Sequence, residues 1–200
     1  KRIDGIRKTG DVAPASAALH HVGIPALFNF TADVDLRALD RHLGYFSQGG
    51  LGLPDPAYYS RTDADTQTLV ARYADYIRKI LVLTGIPAQD LERETALVLD
   101  LEKRIAASAR PLVELRDPKT NFAPVATAGL GKQYRNLQLD AFLKAQGVSD
   151  DAVSIANPAM FAQLDALVGS LKPAQWKTYL RWRVGDAMAP YLAKPWRDAS

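Results

Sequence analysis

The 200-residue sequence contains no cysteine. Disulfide bridges and thiolate metal sites are therefore excluded from these residues, and the cellular compartment stays open. No apolar run is long enough to span a membrane. The net charge is only +3 and the basic residues are mixed with acidic ones, so the pI of 9.1 alone does not indicate a nucleic-acid surface.

The histidines lack the spacing of a catalytic zinc site. A zinc-peptidase helix needs two histidines one turn apart, with a glutamate beside the first as general base. His20 and His21 are adjacent and so point to different sides of a helix, while His42 is isolated in the sequence. We expect three ordinary surface or boundary histidines. A G-x-S-x-G nucleophile elbow is absent as well.

The segment GGLGLPDPAYY (49–59) has the glycines of a ligand-binding loop without the pattern of one. Gly50 and Gly52 begin a G-x-G, but Asp55 stands where a dinucleotide fingerprint needs its third glycine. The lysine and hydroxyl residue of a phosphate-binding loop are also missing. The composition favours a turn, with Pro54 and Pro56 restricting its exit.

The segment WKTYLRWR (176–183) mixes aromatic and basic residues, as nucleic-acid binders do. At helical spacing, Trp176 and Leu180 fall on one side and Lys177 and Arg181 on another. We interpret the aromatic residues as core and the basic ones as a solvated face, because the rest of the chain lacks a basic stripe.

Two long helices are the clearest elements, over 62–85 and from Pro87 to about Ala109. Their apolar stripes contain Leu69, Tyr73, Ile77, Ile80 and Leu81 in the first helix and Leu91, Val98, Leu101 and Ile105 in the second. Thr62 and Asp65 have capping-box spacing, and Gly85 ends the first helix. The short link predicts an antiparallel helical hairpin.

The other segments predict shorter elements around that hairpin. Alternation over 27–32, with a partner at 41–48, indicates a β-hairpin. Helices are expected over 11–22, over 137–146, after the cap Asn157 and from Pro173, and VSIAN (153–157) reads as extended. The fold class is therefore mainly α: a multi-helical lobe with a long antiparallel helical hairpin and a minor β-hairpin.

The domain organisation indicates one unit. No internal repeat, low-complexity tract or long linker divides the chain, so residues 1–200 are expected to form a single helical domain. The sequence starts at Lys1 without a signal-peptide core and stops at Ser200 without a terminal feature. We expect a piece of a longer protein.

Four segments, in this order, resemble the neprilysin family of zinc metallopeptidases. HHVGIPALFNF (20–30) is similar to the family's lead-in, and 49–59 is similar to its G-L-G-L-P-x-x-x-Y-Y signature. VELRDPKTNF (113–122) resembles the R-x-D-P segment, and QWKTYLRWRV with the later APYL (175–192) resembles the W-x-x-Y-L-R-W helix. Each motif alone is weak, but their order is specific.

The resemblance implies the N-terminal, non-catalytic lobe of a larger two-lobe peptidase. In the family the H-E-x-x-H and E-x-x-x-D zinc motifs lie C-terminal to this region, in the catalytic lobe, and this lobe covers the cavity and limits substrate size. The implied partners are that missing catalytic lobe, with its zinc, and oligopeptide substrates; no nucleic acid or membrane segment is expected. We assign no catalytic, cofactor-binding or metal-binding residue here, and the chain alone is expected to be inactive. A periplasmic or extracellular location is favoured.

Two departures and one alternative accompany the resemblance. PAYY (56–59) looks like the Asn-Ala-aromatic-Tyr stretch that holds substrate in the catalytic lobe, but Pro56 replaces the asparagine, so Tyr58 and Tyr59 are interpreted as scaffold. VATAGLGKQ (125–133) replaces a family helix start and carries two helix-weakening glycines. The alternative function is a non-catalytic helical protein- or peptide-binding module whose catalytic lobe is lost or degenerate.

Overall fold

The computed structural model describes residues 1–199, and helices predominate in it. The helices are α1 (Val12–His21), α2 (Ala64–Leu83), α3 (Leu91–Ala106), α4 (Leu112–Leu115), α5 (Leu130–Gln133), α6 (Leu139–Ala145), α7 (Pro158–Ser170), α8 (Pro173–Met188) and α9 (Lys194–Ala199). The strands are β1 (Phe28–Asp35), β2 (Ala38–Gln48), β3 (Pro124–Ala126) and β4 (Ala152–Ile155). The predicted mainly α class with a minor β part is confirmed.

Helix α2 begins one residue later than the capping-box prediction. The carboxylate of Asp63 accepts a hydrogen bond from the Thr66 backbone N–H at 3.1 Å, so Asp63 is the N-cap and the predicted pairing of Thr62 with Asp65 is wrong. Aspartate is as good a cap as threonine, and sequence spacing alone did not separate the two frames. Gly85 follows the helix with a φ of 93°, as the stop signal predicts.

The predicted apolar stripes of α2 and α3 are buried almost throughout. Tyr73, Ile77, Ile80 and Leu81 of α2 and Val98, Leu101 and Ile105 of α3 belong to one hydrophobic core. Leu69 departs from the prediction, since it is 37% exposed near the start of α2. Helix α8 packs against both α2 and α3, and the rings of Tyr73 and Trp182 meet edge to face at 6.0 Å.

The β part is larger than the predicted hairpin. A four-stranded sheet has the order β1-β2-β4-β3, with β1–β2 and β3–β4 antiparallel and β2–β4 parallel. The extended reading of VSIAN is confirmed by β4. Strand β3 was not predicted from the sequence, because it has only three residues and begins at Pro124. So short a strand shows no periodic pattern.

An aromatic cluster joins the sheet to the helices. The ring of Phe28 lies 5.5 Å from that of Phe46 on the sheet, and both contact Phe142 of α6 and Phe161 of α7. Such tilted and edge-on pairs contribute roughly 0.5–1.5 kcal/mol each beyond the burial of their area. The sheet therefore forms one wall of the core, with α6 and α7 packed on it.

Glycine and asparagine residues determine how two of the connecting segments lead into helices. Gly129 adopts a φ of 89° and precedes the single-turn helix α5, so the two glycines of 125–133 leave only a short helix there. Asn157 caps α7 as predicted, accepting from the Met160 N–H at 3.1 Å, with Pro158 in the first turn.

Candidate functional site

The signature segment 49–59 folds as a corner between β2 and α2. Gly50 adopts a φ of 79°, a conformation open to glycine and strained for other residues. Pro56–Tyr59 forms one 3₁₀ turn, and the side chain of Asp55 accepts from the Ala57 N–H at 2.9 Å to cap it. The turn predicted from the glycines and prolines is confirmed.

Tyr179 of α8 hydrogen-bonds to the backbone at the start of this corner. Its hydroxyl lies 2.7 Å from the Gly50 carbonyl oxygen and 2.9 Å from that of Ala26, and it is shared between the two acceptors. The ring is fully buried, and burial raises the pKa of the Tyr179 phenol. The phenol therefore remains a neutral donor that joins α8 to the backbone on both sides of the β1–β2 hairpin.

Glu102 of α3 accepts hydrogen bonds at the other end of the corner. Its Oε2 accepts from the hydroxyls of Tyr73 at 2.6 Å and Tyr59 at 2.9 Å, while its Oε1 accepts from the Trp182 indole N–H at 3.2 Å. The Tyr59 hydroxyl also accepts from the Leu53 N–H at 3.0 Å. We call Glu102, Tyr59, Tyr73 and Trp182 the Glu102 cluster.

Electrostatics in the Glu102 cluster are those of a buried acceptor surrounded by donors. Burial raises the pKa of Glu102, while its hydrogen bonds with Tyr73 and Tyr59 and the charge of Arg183 act in the opposite direction. Burial, followed by the charge of Glu102, raises the pKa values of Tyr59 and Tyr73. Both phenols therefore stay protonated at neutral pH and can donate.

Close packing makes one glycine of the signature indispensable to this cluster. A Cβ added at Gly52 would lie 1.9 Å from the Tyr73 hydroxyl and 2.8 Å from its Cζ. Real Cβ atoms essentially never approach so closely. The backbone at Gly52 can pass beside Tyr73 only because no side chain is present.

The Glu102 cluster is built to hold elements together. Glu102 and Trp182 are completely inaccessible to solvent, and a groove of about 410 Å³ beside Asp55, Tyr59 and Lys103 is not lined by Glu102. A carboxylate enclosed in this way and hydrogen-bonded on both oxygens positions the groups around it. The scaffold interpretation of Tyr59 is supported by these contacts.

Glu102 was not predicted as a buried residue, although the sequence contains a signal for it. Val98, Leu101 and Ile105 were assigned to a buried stripe, and Glu102 occupies the remaining position of the same i, i+3, i+4, i+7 pattern. A glutamate inside an apolar stripe is rarely buried without partners. This position could have been singled out as a buried acceptor.

The three histidines lie at the surface or its boundary as expected, and His20 is the partly buried one. His20 packs between the rings of Phe28 and Phe142, with centroids at 4.9 Å and 5.1 Å, and burial lowers its pKa to about 4. Its Nε2 is buried and has no hydrogen-bond partner among the described residues. The ring behaves as part of the aromatic cluster, whereas His21 and His42 are exposed.

The described residues do not fit a zinc ion. Within residues 1–199, no three His, Cys, Asp or Glu side chains converge as metal ligands. Of the two buried carboxylates, Glu102 already accepts three hydrogen bonds and Asp35 is paired with Arg37. These side chains therefore do not supply a site for metal-assisted chemistry.

Comparison with known proteins identifies the family. The model of peptidase family M13, in its N-terminal part, matches residues 1–200. The chain therefore belongs to the M13 family, which includes neprilysin, as the four ordered segments suggested. In the part of the chain that the structure describes, no helix is long and apolar enough to cross a membrane.

Individual relatives resemble the chain at low sequence identity. It is 25% identical over 185 residues to neprilysin-3 of Drosophila melanogaster, covering 86% of this chain and 24% of that protein. It is 28% identical over 180 residues to endothelin-converting enzyme-like 1 of Mus musculus, covering 87% and 23%. The chain thus spans about a quarter of the length of these relatives.

Solved structures show the same fold. The zinc metalloprotease Zmp1 of Mycobacterium tuberculosis in complex with an inhibitor matches with a TM-score of 0.89 at 23% identity, covering 98% of this chain and 30% of that one. The open state of the same protein matches with a TM-score of 0.88 at 24% identity, covering 98% and 31%. At these identities the likeness concerns the fold.

Proposed function

We propose that this chain is the N-terminal covering lobe of a neprilysin-like zinc metalloendopeptidase that hydrolyses oligopeptides. The observation that supports this most is the family match over residues 1–200, within relatives about four times as long. The lobe covers a cavity formed with the catalytic lobe and limits the size of substrates. Zinc and the catalytic groups belong to that other lobe, and the chain alone has no peptidase activity.

The antiparallel hairpin of α2 and α3 is the element proposed to form the cover. Arg78, late in α2, pairs with Glu92, early in α3, at 2.7 Å, while Tyr73 reaches Glu102 further along α3. These two contacts run in opposite chain directions and so support the hairpin. The signature corner, fixed by the Glu102 cluster, then sets its direction relative to the sheet.

Substrate length is the test of the covering role. The purified parent protein should cleave a short peptide much faster than the same sequence embedded in a folded protein, and chelation of zinc should abolish both activities. Equal rates on the free and the embedded sequence would contradict the size limit. A parent protein that binds peptides without cleaving them would favour a non-catalytic binding module instead.

We also propose that the parent protein is located outside the cytoplasm, because the chain resembles the neprilysin family. Fractionation of cells that express the parent protein should recover it from the periplasm or the medium. Recovery from the cytoplasm alone would contradict this part of the proposal and leave the peptidase assignment untouched.

A further inference from the structure

The outer edge of β1 carries backbone groups that the fold leaves without partners. β1 is a terminal strand of the sheet, paired on one side with β2 and on the other side with no strand among residues 1–199. Thr31, Ala32 and Asp33 in its middle are exposed. An exposed edge strand is a ready template for another extended chain.

The register determines which backbone groups point outward. Phe46 of β2 stands opposite Phe30, and its carbonyl oxygen accepts from the Ala156 N–H on the β4 side. In an antiparallel pair, opposite residues point their backbone groups either toward each other or away from each other. Phe46 points away from β1, so the N–H and C=O of Phe30 point away from β2.

The outward direction of the backbone groups recurs at every second residue of β1. The register runs without a shift from Phe28 to Val34, so Ala32, two residues after Phe30, also directs its N–H and C=O outward. No backbone bond joins Phe30 or Ala32 to any described residue outside the β1–β2 ladder. Two donors and two acceptors are therefore available at the spacing that an added strand requires.

The edge is closed beyond Ala32 by side chains of the chain itself. The Val34 N–H donates to the Asp33 carboxylate at 2.7 Å, and the Val34 carbonyl oxygen accepts from the Tyr45 hydroxyl. The register shifts immediately afterwards, between Val34 and Asp35. Such bulges and inward hydrogen bonds are the devices by which proteins block an edge. The open part of the edge thus ends at Ala32, the fifth of the eight residues of β1.

From this geometry we propose that the β1 edge at Phe30 and Ala32 binds an extended oligopeptide, which adds to the sheet as a fifth strand. The backbone groups supply the hydrogen bonds, and the half-exposed ring of Phe30, backed by Phe142, supplies an apolar neighbour for the opposite side chain. Phe28–Ala32 contains no charged residue, lysine or proline that would repel an added strand.

Side-chain selectivity has a structural basis on the other face of β1. A groove of about 340 Å³ lies between Thr31, Tyr45 and the segment 115–118, with apolar surface from Leu36 and Leu115 and charged groups from Asp33 and Arg116. A side chain of the added strand that points to this face reaches the groove, because successive side chains alternate. The preferred peptide is therefore extended, with an apolar residue facing Phe30. The identification of the added strand as an oligopeptide substrate rests on the proposed function. The open edge itself is independent of that proposal.

Amide hydrogen exchange of the 200-residue chain tests the edge without any substitution. The amides of Phe30 and Ala32 should exchange fast, and those of Thr31 and Asp33, which face β2, should exchange slowly. The blocked peptide acetyl-Thr-Val-Thr-Val-Thr-amide should slow the Phe30 and Ala32 amides, and the same peptide N-methylated at both valines should have no effect. Slow exchange without peptide would overturn the proposal, and protection that grows with protein concentration would assign the edge to a second copy and overturn it too.

A proline substitution provides the second test. Ala32→Pro removes the outward N–H without touching a bond to β2, a position where edge strands tolerate proline. We expect it to weaken binding of the blocked peptide roughly tenfold or more, since it removes a hydrogen bond and adds a steric obstacle. Ala32→Val keeps the N–H and should bind like the original chain. Equal binding by all three would overturn the proposal.

The two proposals can fail separately. If the chain binds the blocked peptide through Phe30 and Ala32 but the parent protein cleaves no peptide, the edge stands and the peptidase assignment fails. If the parent protein cleaves peptides and the chain does not bind this probe, the peptidase assignment stands and the edge proposal is overturned.

Discussion

Glu102 shows how one residue can connect the signature corner to three helices. It lies on α3 and accepts from Tyr73 of α2, from Trp182 of α8 and from Tyr59 of the corner. A buried carboxylate is stable only where donors replace its hydration. The donors also depend on Glu102, because it is the acceptor that all three hydrogen bonds share.

Removing this acceptor should be costly. We expect Glu102→Ala to lower the free energy of unfolding by about 3–5 kcal/mol, because three buried donors lose their partner and a cavity forms. Denaturant unfolding of the chain measures this. Glu92→Ala, which removes an exposed glutamate of the same helix, is the matched control and should change the midpoint little. Equal effects of the two substitutions would refute the structural role of Glu102.

His20 should make the fold sensitive to mild acid. Its pKa is about 4 in the folded chain and about 6.5 in the unfolded one, so between these values the unfolded state binds more protons. Stability is therefore fully present above pH 6.5 and falls as the pH drops toward 4, by at most about 1.4 kcal/mol per pH unit, and by less because the ring is partly solvated.

The measurement compares unfolding free energies at pH 7 and pH 5 for the original chain and for His20→Phe. The original chain should lose more stability than the variant over this interval, because phenylalanine does not titrate. The same loss in both chains would show that another group carries the pH dependence.

At the scale of elements, the signature corner depends on close approach between backbone and ring. Gly52→Ala places a Cβ against Tyr73, and we expect a loss of roughly 2–3 kcal/mol, at the upper end of overpacking effects. Thermal unfolding measures the change. Gly10→Ala is the matched control, since a Cβ there meets nothing within 4 Å. A Gly52 variant as stable as the control would mean that the corner can shift away from α2.

The elements also show what periodicity can and cannot predict. The stripes of α2 and α3 followed from the 3.6-residue spacing of residues such as Tyr73, Ile77 and Ile80, because each helix packs one face on the core. The pairing of β2 with β4 did not follow, since parallel partners distant in sequence leave no local signal. The partners of Glu102 were missed for the same reason: they come from segments 29 to 80 residues away.

At the scale of the whole molecule, several large apolar side chains are exposed. Among the described residues, Val113, Leu39 and Tyr191 are exposed by 71%, 75% and 81%. Exposed apolar surface of this kind promotes contact with a partner. We expect the isolated chain to self-associate as its concentration rises, which sedimentation velocity can measure. A monodisperse monomer over a wide concentration range would contradict this expectation.

We propose that these residues cover a catalytic lobe that lies C-terminal to them. The most direct measurement is the nucleotide sequence of the parent gene beyond the codon for Ser200. We expect an open reading frame with an H-E-x-x-H motif followed by E-x-x-x-D. A stop codon, or a downstream lobe without these zinc ligands, would contradict the peptidase assignment and leave a helical binding module.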